Sequence, residues 1–124
     1  MTSTEPRRRV LLVEDEAMIA MLIEDMLADL GCEVVHTASR IADALMAAQE
    51  QACDLAILDL NLNGAQTYPV AEVLRARGIP IIFATGYGSN GLDPKFAGAP
   101  ALAKPFQQTD LEIALKSLRD GQGA

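Results

Sequence analysis

Short apolar runs alternate along the chain with stretches in which apolar residues recur every three or four positions. Four runs are wholly or mainly apolar, at residues 10–13, 55–59, 81–85 and 101–103, and a fifth short run at 33–36 is centred on two valines. Continuous apolar runs of this length are typical of strands that are covered on both faces. Apolar side chains at helical spacing predict four helices, which contain residues 19–30, 41–48, 70–74 and 111–118.

The alternation of strands with helices predicts the fold class. Strands joined by helical crossovers form an α/β domain with a parallel sheet, because such crossovers are right-handed almost without exception. We predict a flavodoxin-like, doubly wound, five-stranded parallel sheet of strand order 2-1-3-4-5. A further helix between the fourth and fifth strands is expected to be short or irregular, since residues 86–100 are rich in Gly and Pro.

Capping signals predict where the helices begin and end. Gly31 is placed to end the first helix as a C′ glycine, and Ser39 is placed to cap the second. Thr109 and Glu112 have the spacing of a capping box and predict the start of the last helix.

Composition indicates a single soluble domain. The 124 residues are enough for one core, which we place at 9–119, between a flexible arm at 1–8 and a tail at 120–124. A net charge of −7 argues against nucleic acid as a partner, because its phosphates would be repelled. Cys32 and Cys53 lack metal-site spacing and suit a reducing compartment, and no apolar run reaches membrane-spanning length. We therefore predict a cytoplasmic protein that binds neither nucleic acid nor membrane.

Charged and polar side chains stand where the predicted strands end. The residues at these ends are Glu14, Asp15, Asp59, Thr85 and Lys104. In the predicted strand order their four strands are neighbours, so the side chains meet at one edge of the sheet. Three carboxylates in one pocket repel one another unless a cation intervenes, and Mg²⁺ prefers such oxygen ligands. A carboxylate can also attack phosphorus, and the phosphoryl oxygens then need a cation and a hydroxyl, here Lys104 and Thr85.

This constellation resembles the receiver domain of two-component response regulators. The matching pieces are "EDE" after the first strand, Asp59 after "LAIL", Thr85 in "FATG" and Lys104 in "KPF". The resemblance runs from residue 9 to residue 118 and so covers nearly the whole chain.

The resemblance implies a role for each residue of the pocket. Asp59 would accept a phosphoryl group from a sensor histidine kinase or a histidine phosphotransfer protein. Mg²⁺ would be bound by Asp15, Asp59 and the backbone carbonyl of Asn61, with Glu14 acting through water. The peptide bond before Pro105 would be cis, as is typical of receivers.

The resemblance also implies how such a protein acts. It would signal by phosphorylation-dependent binding of an output protein, still unknown, or by passing the phosphate on. It is not an enzyme in the usual sense, although it assists its own phosphoryl transfer and dephosphorylation. The Phe-Ala-Thr-Gly run is similar to that of a receiver subgroup known largely from alphaproteobacteria. Several of that subgroup are stand-alone receivers, and we expect the same here.

Two positions depart from the common receiver pattern. Asn63 stands where a Pro is frequent, which leaves the turn after Asp59 undefined. Ala101 stands where receivers usually carry the aromatic residue that swings inward on activation. We therefore expect another residue to act as the switch, and Tyr87, two residues after Thr85, is the candidate.

Two other classes of protein share features of this pocket. A phosphatase of the haloacid dehalogenase type also carries an Asp nucleophile after a strand, but it needs a second Asp two residues later. This chain has Asn61 there. A phosphate-independent pseudo-receiver is disfavoured by the complete set of pocket residues.

Overall fold

The computed structural model describes residues 7–86 and 92–121, with side chains described as far as Leu118. Seven strands and four α-helices occur within these ranges. In chain order they are β1 (Arg8–Val13), α1 (Ala17–Asp29), β2 (Cys32–Ala38), α2 (Ile41–Glu50), β3 (Leu55–Asp59), β4 (Asn61–Leu62), β5 (Ala65–Gln66), α3 (Tyr68–Ala76), β6 (Ile81–Thr85), β7 (Ala101–Ala103) and α4 (Gln108–Gly121). None of the helices in the described part of the chain is both long and apolar enough to span a membrane.

Five of the strands form one parallel sheet. Their order is β2-β1-β3-β6-β7, which confirms the predicted order 2-1-3-4-5. The remaining two, β4 and β5, pair only with each other as a small antiparallel hairpin directly after β3. The carboxyl ends of β1, β3, β6 and β7 therefore lie side by side along one edge of the sheet.

The central strands of the sheet are covered on both faces, which explains the continuous apolar runs at residues 10–13, 55–58 and 81–84. Along β1, Val10 and Leu12 pack with α1 and α4, whereas Leu11 and Val13 pack with α2 and α3. The same alternation runs along β3, all five residues of which are buried. Because neither face meets water, the period-two pattern of a half-exposed strand is absent.

Two elements extend past the predicted limits of the domain. Strand β1 begins at Arg8, inside the stretch predicted as an arm, and α4 ends at Gly121, inside the stretch predicted as a tail. Arg8 is in parallel register with Cys32 of β2, and its guanidinium donates to the carbonyl of Leu115 at 3.2 Å. Gly31 has φ +81° after α1, which confirms it as the residue that ends that helix.

Two capping predictions were wrong. The residue before α2 is Arg40 rather than Ser39, and its side chain makes no capping bond. Helix α4 begins at Gln108, so Thr109 is already inside it. The Asp110 carboxylate instead accepts a hydrogen bond from the Gln107 backbone N–H at 2.9 Å, as an N3 acid does in a capping box.

The described part of the stretch between β6 and β7 contains one 3₁₀ turn, Pro94–Phe96, in agreement with the predicted short fourth helix. An aromatic cluster fixes this turn to α3. The ring of Phe96 stacks on Tyr68 at 5.7 Å and meets Phe83 edge-on at 5.5 Å. The Tyr68 hydroxyl oxygen accepts a hydrogen bond from the Asp93 backbone N–H at 2.6 Å.

Candidate functional site

Three carboxylates meet at the carboxyl edge of the sheet. Glu14 and Asp15 follow β1 and Asp59 ends β3, and the two strands are in register at Val13 and Leu58. One oxygen from each acid lies within 4.8 Å of the others, a grouping that could hold a metal ion. Oxygen donors with this charge are suited to a hard divalent cation such as Mg²⁺.

Lys104 lies inside this acidic group. Its Nζ is 3.1 Å from Glu14 Oε1 and 3.2 Å from Asp59 Oδ2. The side chain of Lys104 is 20% exposed, against 1% for Glu14 and 9% for Asp59, so all three charges are largely shielded from water. Two of the three carboxylates are thus already paired with a cation supplied by the chain.

Burial and neighbouring charges shift the pKa values of these three groups in opposite directions. Burial raises the pKa of Asp59, and the nearby ammonium of Lys104 only partly offsets it. Burial likewise raises the pKa of Glu14, against the lowering effects of the Glu16 backbone N–H and Lys104. For Lys104 burial alone would lower the pKa, but contacts with Glu14 and Asp59 outweigh it and the pKa is raised. The lysine therefore stays charged while both acids are held at an electrostatic cost.

Thr85 and Lys104 come from adjacent strands. Thr85 is buried at the end of β6, one residue beyond Ala84, which is the register partner of Asp59. The Lys104 backbone N–H donates to the Thr85 carbonyl at 2.9 Å, which joins the ends of β6 and β7. The Lys104–Pro105 peptide bond is cis, as predicted.

The loop after Asp59 is the hairpin of β4 and β5. Leu62 pairs with Ala65, so the turn has two residues, Asn63 and Gly64, with φ of +53° and +87°. Asn-Gly with two positive φ values is the usual sequence of a tight hairpin turn. The turn that the sequence analysis left undefined is therefore a hairpin, and its signal was the dipeptide itself.

This hairpin contacts the acids directly. The Asn61 backbone N–H lies 3.4 Å from Asp59 Oδ1, and the Asn63 backbone N–H donates to Asp15 Oδ2 at 2.9 Å. The structure therefore places the Asn61 backbone N–H beside Asp59, while the predicted role of its carbonyl as a metal ligand stays a prediction. It also adds Asn63, which had been noted only as a departure from the family pattern.

Thr67 is a residue of the site that sequence reasoning missed. It is fully buried, and its hydroxyl donates to the backbone carbonyl of Asp59 at 2.8 Å. Its position just before α3 suggests a helix cap, yet its side chain makes no capping bond. Thr67 instead anchors the end of β3, where Asp59 sits.

Two expectations about the switch concern β7 and the segment before it. Ala101 begins β7 and is partly buried, so the place of the usual aromatic residue is taken by a methyl group. Tyr87 lies outside the described residues, and its role stays a prediction.

A doubly wound α/β domain with a partly buried lysine between acids at its carboxyl edge is the arrangement of a receiver. The chain belongs to the response regulator receiver domain family, whose sequence profile matches residues 10–116. The predicted family and fold are confirmed. Membership of the Phe-Ala-Thr-Gly subgroup stays a prediction.

Solved receivers and a curated relative are similar to this chain. The solution structure of SdrG from Sphingomonas melonis Fr1 is 41% identical with a TM-score of 0.82, covering 94% of this chain and 99% of SdrG. Its BeF₃-activated form, given as from Pseudomonas melonis Fr1, is 43% identical with a TM-score of 0.76, covering 89% and 94%. The transcriptional regulatory protein PdtaR of Mycobacterium tuberculosis is 33% identical over 121 residues. That match covers 91% of this chain and 59% of PdtaR, so the chain spans little more than half of that relative.

Proposed function

We propose that Asp59 accepts a phosphoryl group from a phosphohistidine of a sensor histidine kinase or a histidine phosphotransfer protein. A carboxylate oxygen of Asp59 would form the new P–O bond as the P–N bond breaks, and the electron pair of that bond stays with the histidine nitrogen. The observation that supports this most is the Lys104 ammonium, 3.2 Å from Asp59 Oδ2, because it can neutralise the transferred group.

The residues around Asp59 fit a bound Mg²⁺ ion. When bound, the ion would supply positive charge to the phosphoryl oxygens. Asp15, Asp59 and the backbone carbonyl of Asn61 would be its direct ligands. Both oxygens of Glu14 are already engaged, one by Lys104 and one by the Glu16 N–H at 3.1 Å, which suits a contact through water.

Thr85 and Lys104 would contact the transferred group. The ammonium and the hydroxyl would each donate to a phosphoryl oxygen, and the two donors would stabilise its negative charge from two sides. The same residues would assist hydrolysis of the aspartyl phosphate by water. The chain would thus promote its own phosphorylation and dephosphorylation, while its role is to signal.

The downstream step would be phosphorylation-dependent binding of an output protein or transfer of the phosphate to another carrier. PdtaR is named as a transcriptional regulatory protein, but this chain spans only 59% of it, so no such output is carried over. We propose a cytoplasmic protein whose partners are the phosphate donor and an output protein, with neither nucleic acid nor membrane among them.

Phosphorylation at Asp59 can be tested with acetyl phosphate and Mg²⁺, followed by intact-protein mass spectrometry. We expect one acid-labile phosphoryl group on the wild type and none after chelation of the metal. Asp59→Asn should lose the group. Asp54→Asn is the matched control, since Asp54 precedes the same strand but pairs with Arg9 at the surface, and it should keep the group.

Two results would contradict the proposal. An Asp59→Asn protein that takes up the group with unchanged Mg²⁺ dependence would place the acceptor elsewhere. A wild type that takes up none, and that also fails to bind beryllofluoride, would instead indicate a phosphate-independent binding module.

A further inference from the structure

The hairpin of β4 and β5 joins three loops at the carboxyl edge of the sheet. It follows β3, and Asn63 at its tip reaches the other two loops. The Asn63 backbone N–H donates to Asp15 in the loop after β1. The Asn63 side-chain amide donates to the Ser39 carbonyl in the loop after β2, at 3.2 Å.

The residue type at the tip is suited to both contacts. At φ +53° a β-branched or bulky residue is strained, whereas Asn tolerates this region well. The amide side chain also supplies the donor for the Ser39 carbonyl, which Gly at the same position could not. Gly64 continues the turn at φ +87°, so the backbone of the whole tip depends on positive φ.

The orientation of the Asp15 carboxylate depends on this tip, whereas that of the Glu14 carboxylate is shared between two neighbours. Within the described residues, the Asn63 N–H is the only hydrogen-bond donor to the Asp15 carboxylate. Glu14, by contrast, is fixed by both Lys104 and the Glu16 N–H. Asp15 is also only half buried, so no packing comparable to that around Glu14 fixes its orientation.

We propose that Asn63 is a positioning residue for divalent metal binding: its N–H engages Asp15 Oδ2 and thereby orients the Asp15 carboxylate in the acidic pocket. The inference rests on the proposed function, because it takes Asp15 to be a metal ligand. Partners that orient a ligand typically change metal affinity by about 10–100-fold when they are removed. The Asn-Gly hairpin would therefore set how tightly this receiver binds its ion.

Mg²⁺ affinity measured by isothermal titration calorimetry tests this without any phosphorylation step. Asn63→Pro removes the N–H and fixes φ near −65°, so we expect affinity to fall about tenfold. Asn63→Gly keeps both the N–H and positive φ, and its affinity should stay within about twofold of the wild type. Gln66→Ala, an exposed change in β5 of the same hairpin, is the matched control and should leave affinity unchanged.

A double-mutant cycle separates positioning from general damage to the loop. If Asn63 acts through Asp15, Asn63→Pro should have little further effect on affinity in an Asp15→Ala background. An equal loss in both backgrounds would overturn the inference. If Asn63→Pro fails to fold, Asn63→Ala takes its place, since it keeps the N–H but disfavours positive φ and should weaken binding more than Asn63→Gly.

The inference and the proposed function fail in different ways. A wild type that does not bind Mg²⁺ would overturn both. Wild-type binding that is matched by a folded Asn63→Pro protein would overturn the positioning role alone and leave phosphorylation of Asp59 intact.

Discussion

Burial and the charge of Lys104 shift the pKa of Asp59 in opposite directions. The residue is 7% exposed, and Lys104 does not fully offset the loss of water around the carboxylate, so its pKa remains raised. Asp59 also raises the pKa of the neighbouring Glu14. The buried carboxylates therefore destabilise the metal-free fold. A second cation in the pocket, or a neutral side chain in place of Asp59, should reduce this electrostatic cost.

Asp59→Asn should stabilise the metal-free protein by roughly 1 kcal/mol at neutral pH, because it removes one buried charge and leaves Lys104 paired with Glu14. Burial raises the folded-state pKa of Asp59 above its ordinary value of about 4, so the folded chain binds the extra proton. Wild-type stability therefore rises as the pH falls through the folded pKa. Asn has no proton to gain, so the advantage of the mutant should shrink over that range.

Urea denaturation in EDTA between about pH 7.5 and pH 5 measures this difference. Asp54→Asn is a control of opposite sign, because a backbone hydrogen bond from Arg9 lowers the pKa of Asp54. Its substitution should destabilise the protein at neutral pH, and the loss should stay the same down to pH 5, because it fades only as the pH falls below the ordinary Asp value of about 4. An Asp59→Asn protein that is less stable than the wild type at neutral pH would refute the account of a crowded acidic pocket.

Some residues of the pocket could be predicted from the sequence, and others could not. Glu14, Asp59 and Lys104 follow directly from strand ends, because parallel strands bring their carboxyl ends to one edge whatever the loops do. Asn63 reaches Asp15, and Thr67 reaches the backbone of Asp59, only because the chain between Asp59 and Thr67 folds back as a hairpin. Such contacts depend on loop conformation, for which apolar periodicity carries no signal.

Among the elements, the buried strands were predictable and the hairpin was not. Each strand of β4 and β5 has two residues, too few for any period to show. The Asn-Gly dipeptide was the available signal, and it is preceded by alternating Leu58, Leu60 and Leu62 but followed by no such alternation. The cap of α4 was misplaced for a related reason, since Thr109 and Asp110 both offer a capping side chain and only the fold shows which is used.

The aromatic cluster joins the site to the stretch before β7. The Thr67 hydroxyl donates to the backbone carbonyl of Asp59. The next residue, Tyr68, accepts a hydrogen bond from the Asp93 backbone N–H with its own hydroxyl oxygen. A short path of direct contacts thus runs from the end of β3 to the 3₁₀ turn. The position of that turn is fixed partly by one hydroxyl and partly by ring stacking with Phe96.

Tyr68→Phe separates these two contributions. It keeps the stacking but removes the acceptor of the Asp93 N–H, and we expect a loss of roughly 0.5–1.5 kcal/mol in the free energy of unfolding. Tyr68→Leu also loses the ring contacts and should cost at least about 1 kcal/mol more. Urea denaturation gives both values, and hydrogen exchange of the Asp93 amide should quicken in Tyr68→Phe. Unchanged exchange there would show that the hydroxyl does not hold the turn.

At the scale of the whole molecule, the pocket lies at one edge of the sheet, whereas a partner that distinguishes the phosphorylated protein must bind a surface that changes with phosphorylation. A local change of charge is read at a distance only through an element that has two arrangements. Receivers usually provide one with an aromatic residue at the place of Ala101, and here that place holds a methyl group. The sequence between β6 and β7 remains the candidate, since Gly86 and Gly88 permit alternative backbones around Tyr87.

Tyr87→Ala tests whether this residue transmits the signal. When the hydroxyl of Thr85 bonds a phosphoryl oxygen, the chain just beyond it should be drawn toward the pocket, and Tyr87 is two residues away. We expect Mg²⁺ and beryllofluoride to shift backbone amide NMR signals of the wild type both in the pocket and along β7 and α4. In Tyr87→Ala the pocket shifts should persist while those of β7 and α4 largely disappear. Ser89→Ala, in the same stretch but without an aromatic ring, should behave as the wild type, and shifts that reach α4 undiminished in Tyr87→Ala would assign the relay to another residue.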